Sequence, residues 1–247
     1  MNRRDLLEAA VGTALLGASS CAYAFRLLRP PGKGAERRAG STSETKWGMV
    51  IDLTKCQSDC TACIDACHEE NNVGHSGDAR WDIHWIRKVT IDKKEVEERT
   101  ADSSKSVILL CNHCDEPPCA QVCPVQATYK REDGIVVVDH HRCIGCRYCM
   151  IACPYNARFF NFEDNEHWPN REHPKRSHGV AEACTLCAHR LDRGEEPKCV
   201  EVCPNGALAV GNLKDPTSNV SQLIAGTPTK RIREGLGTEP KVYYIGL

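Results

Sequence analysis

Sixteen of the seventeen cysteines in this 247-residue chain fall into four quartets. They are Cys56, Cys60, Cys63 and Cys67; Cys111, Cys114, Cys119 and Cys123; Cys143, Cys146, Cys149 and Cys153; and Cys184, Cys187, Cys199 and Cys203. Each closes with a cysteine four residues after the one before, and in the last three a proline follows at once: Pro124, Pro154 and Pro204. Zinc sites pair two C-x2-C dyads into one tetrahedron, which leaves no use for the further thiols at these offsets. Disulfides are the other option, because the N-terminus points to export into an oxidising compartment. Bridges across C-x2-C would be strained and would hold together almost none of the fold.

The third quartet reads C-x2-C-x2-C-x3-C-P. That run belongs to bacterial iron-sulfur proteins, in which three close thiolates hold one [4Fe-4S] cubane and the fourth reaches across to a second. Composition bears on how such a chain folds. Hydrophobic residues are 41% only because cysteine is counted among them; without it the share is about a third, and aromatics are 6%, a poor supply of ordinary core formers. The clusters are therefore expected to be much of the core, with folding coupled to their insertion and the apoprotein largely unfolded. A net charge of -1 argues for neither nucleic acid nor an acidic partner surface.

Residues 1–24 read as a twin-arginine signal or N-terminal anchor. Arg3-Arg4 precedes a weak apolar stretch from Ala9 to Ala18, and Ala22-Tyr23-Ala24 offers a cleavage site. A cubane protein built in the cytoplasm must cross the membrane folded, which this route permits, so a periplasmic or extracytoplasmic location is expected. Leu6 and Glu8 depart from the usual motif, and Cys21 reads as an unpaired leftover rather than a lipidation site. The stretch is too short and glycine-rich for a secure membrane span. Residues 25–45 form a basic linker with Pro30-Pro31 and Arg37-Arg38.

The folded part is expected over 46–215. Trp47 to Leu53 reads as a strand leading into the first quartet, His68 to Arg80 as a loop, and Trp81 to Ile91 as a strand of period two. Lys93 to Ser106 reads as a charged surface loop or hairpin and Val107 to Leu110 as a strand. Ala127–Lys130 and Ile135–Val138 form a hairpin around Asp133-Gly134. Arg158–Phe160 and Ala207–Val210 match as short strands, while Arg147–Ala152 and Ala188–Asp192 suit single helical turns. Strand, cysteine run, Cys-Pro and strand recur as an internal repeat. Two such halves make a ferredoxin module, so four quartets imply an α+β fold of tandem ferredoxin-like modules around four cubanes.

CIDACHEENNV (Cys63 to Val73), CRYCMIACPYNARFFNF (Cys146 to Phe162), the run from Cys184 to Leu223 and the tail GTEPKVYYIG resemble the four-cluster iron-sulfur subunits of membrane-bound oxidoreductases. Within that family they are most similar to the DsrO type of DsrMKJOP complexes in dissimilatory sulfur metabolism. The resemblance covers about residues 46–215. It implies one cubane on Cys56, Cys60, Cys63 and Cys203, and its neighbour on Cys184, Cys187, Cys199 and Cys67. It implies a third on Cys111, Cys114, Cys119 and Cys153, and a fourth on Cys143, Cys146, Cys149 and Cys123. The first quartet departs from the common form, with three residues between Cys56 and Cys60 and with His68 in place of proline.

Cys63-x3-Cys67-His68 has one residue too many for haem attachment. His113 reads as a surface histidine in preference to a cluster-tuning one, and His140-His141 as a solvated turn. No phosphate loop, nucleophile elbow or nucleotide fingerprint is present, so no catalytic residue is assigned and the chain reads as an electron relay. The resemblance implies partners: a quinone-reactive NrfD-like (DsrP-like) membrane subunit, a multihaem cytochrome c (DsrJ-like) and DsrMK-like subunits. The rival is the beta subunit of a molybdopterin oxidoreductase, of the polysulfide or tetrathionate type, or of a hydrogenase. A zinc- or disulfide-built interaction module would be colourless. The 216–247 tail, with a Ser218–Ile224 helix signal and an extended Lys241–Ile245, has too few apolar residues for its own core and is expected to wrap the module or a partner.

Overall fold

The computed structural model describes residues 44–74, 78, 81–91, 105–164, 166 and 168–247. The signal, most of the basic linker and most of the charged stretch after Ile91 lie outside the described residues. Among those described, no helix is long and apolar enough to cross a membrane. The fold is mixed α+β, with short strands and short helices alternating around the cysteine runs.

Each quartet sits just after a strand. β1 (Trp47–Asp52) leads into the first quartet and helix α1 (Ala62–Asn71). β2 (Ile86–Ile91) pairs antiparallel with β3 (Lys105–Leu110), which delivers the second quartet and the short helix α2 (Pro118–Gln121). β4 (Thr128–Lys130) and β5 (Val136–Val138) form the expected hairpin, with Ile135 N–H bonded to Asp133 Oδ1 at 3.1 Å and Gly134 at φ +84°. A left-handed turn residue is cheapest as glycine. The third quartet with α3 (Tyr148–Ala152) and the strand β6 (Phe159–Phe160) follow, and β6 pairs with β7 (Ala181–Glu182). The fourth quartet carries α4 (Ala188–Leu191) and α5 (Lys198–Glu201) and ends in β8 (Leu208–Asn212).

The tail completes the module from inside. Ser218 caps helix α6 (Asn219–Gly226) through its side chain. β9 (Thr229–Lys230) and β10 (Val242–Ile245) then join a four-stranded sheet of order β8-β1-β10-β9. β10 lies parallel to β1, with Val50 opposite Tyr243, and Val242 and Tyr244 are buried in the main core. The sequence pattern shows an extended segment there; its partner strand, almost two hundred residues away, is set by tertiary packing.

Two local expectations change. Helix α1 runs four residues past Cys67, into the stretch read as a loop, and stops where Asn72 turns left-handed at φ +53°. His68 supplies the backbone N–H that a proline would lack, so the helix continues. The strand read from Trp81 begins only at Ile86; Ile83 and Trp85 are buried ahead of it, and within it Ile86 is buried while Val89 is 38% exposed. The inward phase therefore slips by one residue at the start of the ladder.

Candidate iron-sulfur centres

The Cys-Pro repeat has one backbone form. Gln126, Asn156 and Gly206 each donate their N–H to the carbonyl of the closing cysteine, Cys123, Cys153 and Cys203, at 3.2, 3.4 and 3.1 Å. Each of the three is left-handed, at φ +54°, +49° and +58°. The alanine that follows in every copy, Ala127, Ala157 or Ala207, is buried. The turn folds the chain back so that an amide reaches the sulfur: Thr128 N to Cys123 Sγ at 3.5 Å and Ala207 N to Cys203 Sγ at 3.2 Å. Ala181 N and Leu186 N approach Cys143 Sγ and Cys184 Sγ at 3.4 and 3.3 Å. Such N–H···S contacts favour a negatively charged thiolate. Gly145, at φ +69°, has room for no side chain, since a Cβ would lie 2.5 Å from the Gly179 carbonyl oxygen.

Two cavities are lined by cysteines from opposite ends of the chain. One includes Cys67, Cys184, Cys187 and Cys199 together with Trp85 and Leu186. The other includes Cys56, Cys60, Cys63 and Cys203 together with Ile108 and Ala207. Among the described residues no three His, Cys, Asp or Glu side chains converge tightly enough to hold a single metal ion. All sixteen quartet cysteines are free of disulfides. Four soft sulfur donors lining one apolar pocket, yet not drawn together tightly enough for a single ion, suit a cluster of irons and not a lone zinc.

The electrostatics repeat the grouping. Burial pushes the Cys63 thiol up to about 11, with Cys203, Cys56 and Cys60 adding to the rise and Lys88 opposing it. Cys67 is raised by burial and then by Cys187 and Cys199. Burial takes Cys111 to about 12 and Cys114 to about 11, and Cys119 and Cys153 push both further in that direction. Cys149 is raised by burial, with Cys119, Cys143 and Cys123 as neighbours. Adjacent groups also influence one another: beyond burial, Cys199 is raised further by Cys63, Cys184 by Cys111, and Cys149 by Cys119. Raised thiols resist ionising by themselves, so the pocket needs bound cations to hold them as thiolates. Cys146 is the exposed member of the sixteen.

Three polar residues at these sulfurs were not picked out as ligands' neighbours, or were read differently. Asn71 Nδ2 donates to Cys67 O at 3.1 Å and approaches Cys67 Sγ at 3.6 Å and Cys187 Sγ at 3.7 Å. Its place one helical turn after Cys67 is the signal that could have found it. Arg158 is buried, and its Nη2 donates to Cys119 Sγ at 3.2 Å. His113 is not at the surface: it is 2% exposed and its Nδ1 accepts the Val136 N–H at 3.1 Å. That buried amide needs an acceptor, and burial with Lys241 and Arg158 nearby drives the imidazole down to about 3, so it stays neutral. His140 and His141 do lie in a turn, but only His141 is exposed; burial, then Arg176, brings His140 down to about 4.

Strands, Cys-Pro turns and clustered thiols of this kind define a ferredoxin-like iron-sulfur protein. Residues 105–213 match the 4Fe-4S dicluster domain family. The "Hdr-like menaquinol oxidoreductase iron-sulfur subunit 1" of Archaeoglobus fulgidus is 41% identical across the whole of this chain and 98% of its own length. A tetrathionate reductase subunit from Salmonella typhimurium is 40% identical over 86% of this chain and 76% of that protein. The menaquinone reductase iron-sulfur cluster-binding subunit of Nitratidesulfovibrio vulgaris is 38% identical over 81% and 88%. This chain belongs to that family of 4Fe-4S iron-sulfur subunits of oxidoreductase complexes.

Proposed function

We propose that the protein is the exported electron-transfer subunit of a quinone-linked complex of the DsrMKJOP type, holding four [4Fe-4S] clusters on the sixteen cysteines. Each cluster supplies reversible one-electron transfer when bound. What supports the reading is that two cavities each bring together three cysteines of one quartet and the closing cysteine of another, while beyond burial Cys111 and Cys114 are raised further by Cys119 and Cys153, and Cys149 by Cys143 and Cys123. In this reading the sets are coupled electrostatically in a line: Cys199 of the Cys67 group is raised further by Cys63, Cys184 of that group by Cys111, and Cys149 of the Cys143 group by Cys119. The chain's own work is to hold the sulfurs, bar water from the inner sets and aim N–H donors at them.

The quinone link rests on the full-length similarity to a menaquinol oxidoreductase subunit. An NrfD-like, DsrP-like membrane subunit, a DsrJ-like multihaem cytochrome c and DsrMK-like subunits are the partners in this reading, with the complex held at the periplasmic face of the membrane. The similarity to a tetrathionate reductase subunit favours a second reading, in which the chain is the electron-transfer partner of a molybdopterin catalytic chain. Anaerobic affinity purification from native membranes separates them. Haem-staining and quinone-reactive membrane chains in the eluate support the first. A large molybdenum-containing chain without haem supports the second, and a colourless, iron-free protein overturns both.

A further inference from the structure

Arg158 sits where the other Cys-Pro repeats carry no charge. It follows the buried alanine of its turn, Ala157, as Thr128 follows Ala127 and Leu208 follows Ala207. Its side chain is 3% exposed, and of its three guanidinium nitrogens one donates to Cys119 Sγ at 3.2 Å while Nε and Nη1 have no partner. The charges that act on it are sulfurs of two different quartets' groups, Cys119 and Cys111 together with Cys153 and Cys149. No carboxylate forms an ion pair with it among the described residues, whereas Arg176, the other buried arginine near a cysteine set, is offset by buried Glu182. A buried, unpaired guanidinium is costly. It is tolerable here only against negative charge that these protein atoms alone do not supply, and Nε and Nη1 are left without a protein partner to meet it.

We propose that Arg158 is a fixed cation shared by the second-quartet and third-quartet clusters, which stabilises their reduced forms and makes that half of the relay the side where electrons collect. This rests on the cluster assignment above. Adding an electron makes a cluster more negative, so a cation held close by in a low-dielectric site favours reduction of both. Arginine suits the task because it cannot lose its proton and can point separate N–H groups at two sulfur sets.

The test is an anaerobic EPR redox titration of the intact complex carrying Arg158→Met or Arg158→Lys, with iron counted in each sample. Arg158→Met is expected to retain its iron and to make two of the clusters at least tenfold harder to reduce, about 59 mV for one electron, while the others stay put. Arg158→Lys, which keeps the charge, should move them less. Full iron with unmoved midpoints, or an equal shift of every cluster, overturns the proposal. If the methionine variant fails to assemble, guanidino-15N arginine labelling of the unmutated protein decides. The reduced clusters should show a nitrogen hyperfine coupling that the lysine variant lacks, and no such coupling overturns it. Unmutated protein without 4Fe-4S signals sinks the cluster assignment instead, and does so before any variant is compared.

Discussion

Tyr244 tests whether the tail is part of the module or a strap for a partner. Its ring is 1% exposed within the main core, and its hydroxyl donates to the Ile108 carbonyl at 3.0 Å, tying β10 to β3 as well as to β1. Tyr244→Phe deletes that hydrogen bond, a loss of about 1 kcal/mol. Tyr244→Ala empties a buried aromatic site and should cost roughly 3–5 kcal/mol. For a domain of this size about 1 kcal/mol moves the melting midpoint by roughly 2–4 °C, so the alanine variant should fall by on the order of 10 °C and the phenylalanine variant by a few degrees. Visible bleaching of the isolated, anaerobic holoprotein on heating is the assay, at one scan rate because loss of iron is irreversible. An alanine variant that bleaches within a degree of the parent, yet no longer copurifies with other subunits, would refute the placement of β10 in the core.

Three further outcomes are expected. Chelating the iron under anaerobic conditions should remove most far-ultraviolet circular dichroism along with the colour, because Cys63, Cys111 and Cys114 are buried thiols with raised pKa values whose pocket is held by bound iron; an apoprotein with a sharp melting transition argues against it. Asn71→Leu keeps the branching of the side chain, though it is bulkier, and removes the donor facing Cys67 and Cys187. It should lower one cluster's midpoint by about 40 mV and leave the rest, taking roughly 1 kcal/mol for the lost bond. His173 is brought from 6.5 to about 4 by burial, then by Arg176 and His189. The unfolded chain thus binds the proton first, so stability should fall as pH drops from 6.5 toward 4, and His173→Gln should flatten the slope of bleaching midpoint against pH in that window.

What could be read from residues alone was whatever local chemistry dictates. Asp133-Gly134 demanded a tight turn, and three copies of Cys-Pro followed two residues later by a left-handed Gln, Asn or Gly and then alanine announced one repeated bend. Strand partners were harder, since nothing near Val242–Ile245 says that β1 lies beside it. The His68–Asn71 stretch looked like a loop because it is polar, although His, Glu and Asn continue a helix readily when no proline interrupts. His113 was misplaced for a similar reason: a histidine in a cysteine run looks solvated until the Val136 amide opposite it is known to need an acceptor. Arg158 was hidden within a strand-like NARFF, and only the alignment of turns in space shows that its side chain enters where Thr128 and Leu208 carry none of its charge.

Burial links stability to electron relay. The Cys67 set is wholly buried and the Cys111 set has only Cys153 half-buried, whereas Cys56, Cys60 and Cys203 are half-buried and Cys146 is exposed. The two inner sets therefore lie away from water, where N–H donors and fixed charges act at full strength, and the outer sets are the ones an outside redox group can approach. Those two ends differ in chemistry. Around Cys146 stand Ile144, Tyr148 and Ile151, exposed to 64%, 57% and 84%; around Cys56 stand exposed Lys55, Gln57, Ser58 and Asp59. An apolar rim at one end and a polar one at the other are surfaces that cannot be exchanged between partners. In the proposed cluster assignment the line of sulfur sets is therefore asymmetric, and Arg158, buried with no carboxylate ion pair among the described residues, lies in the half that opens on the apolar rim.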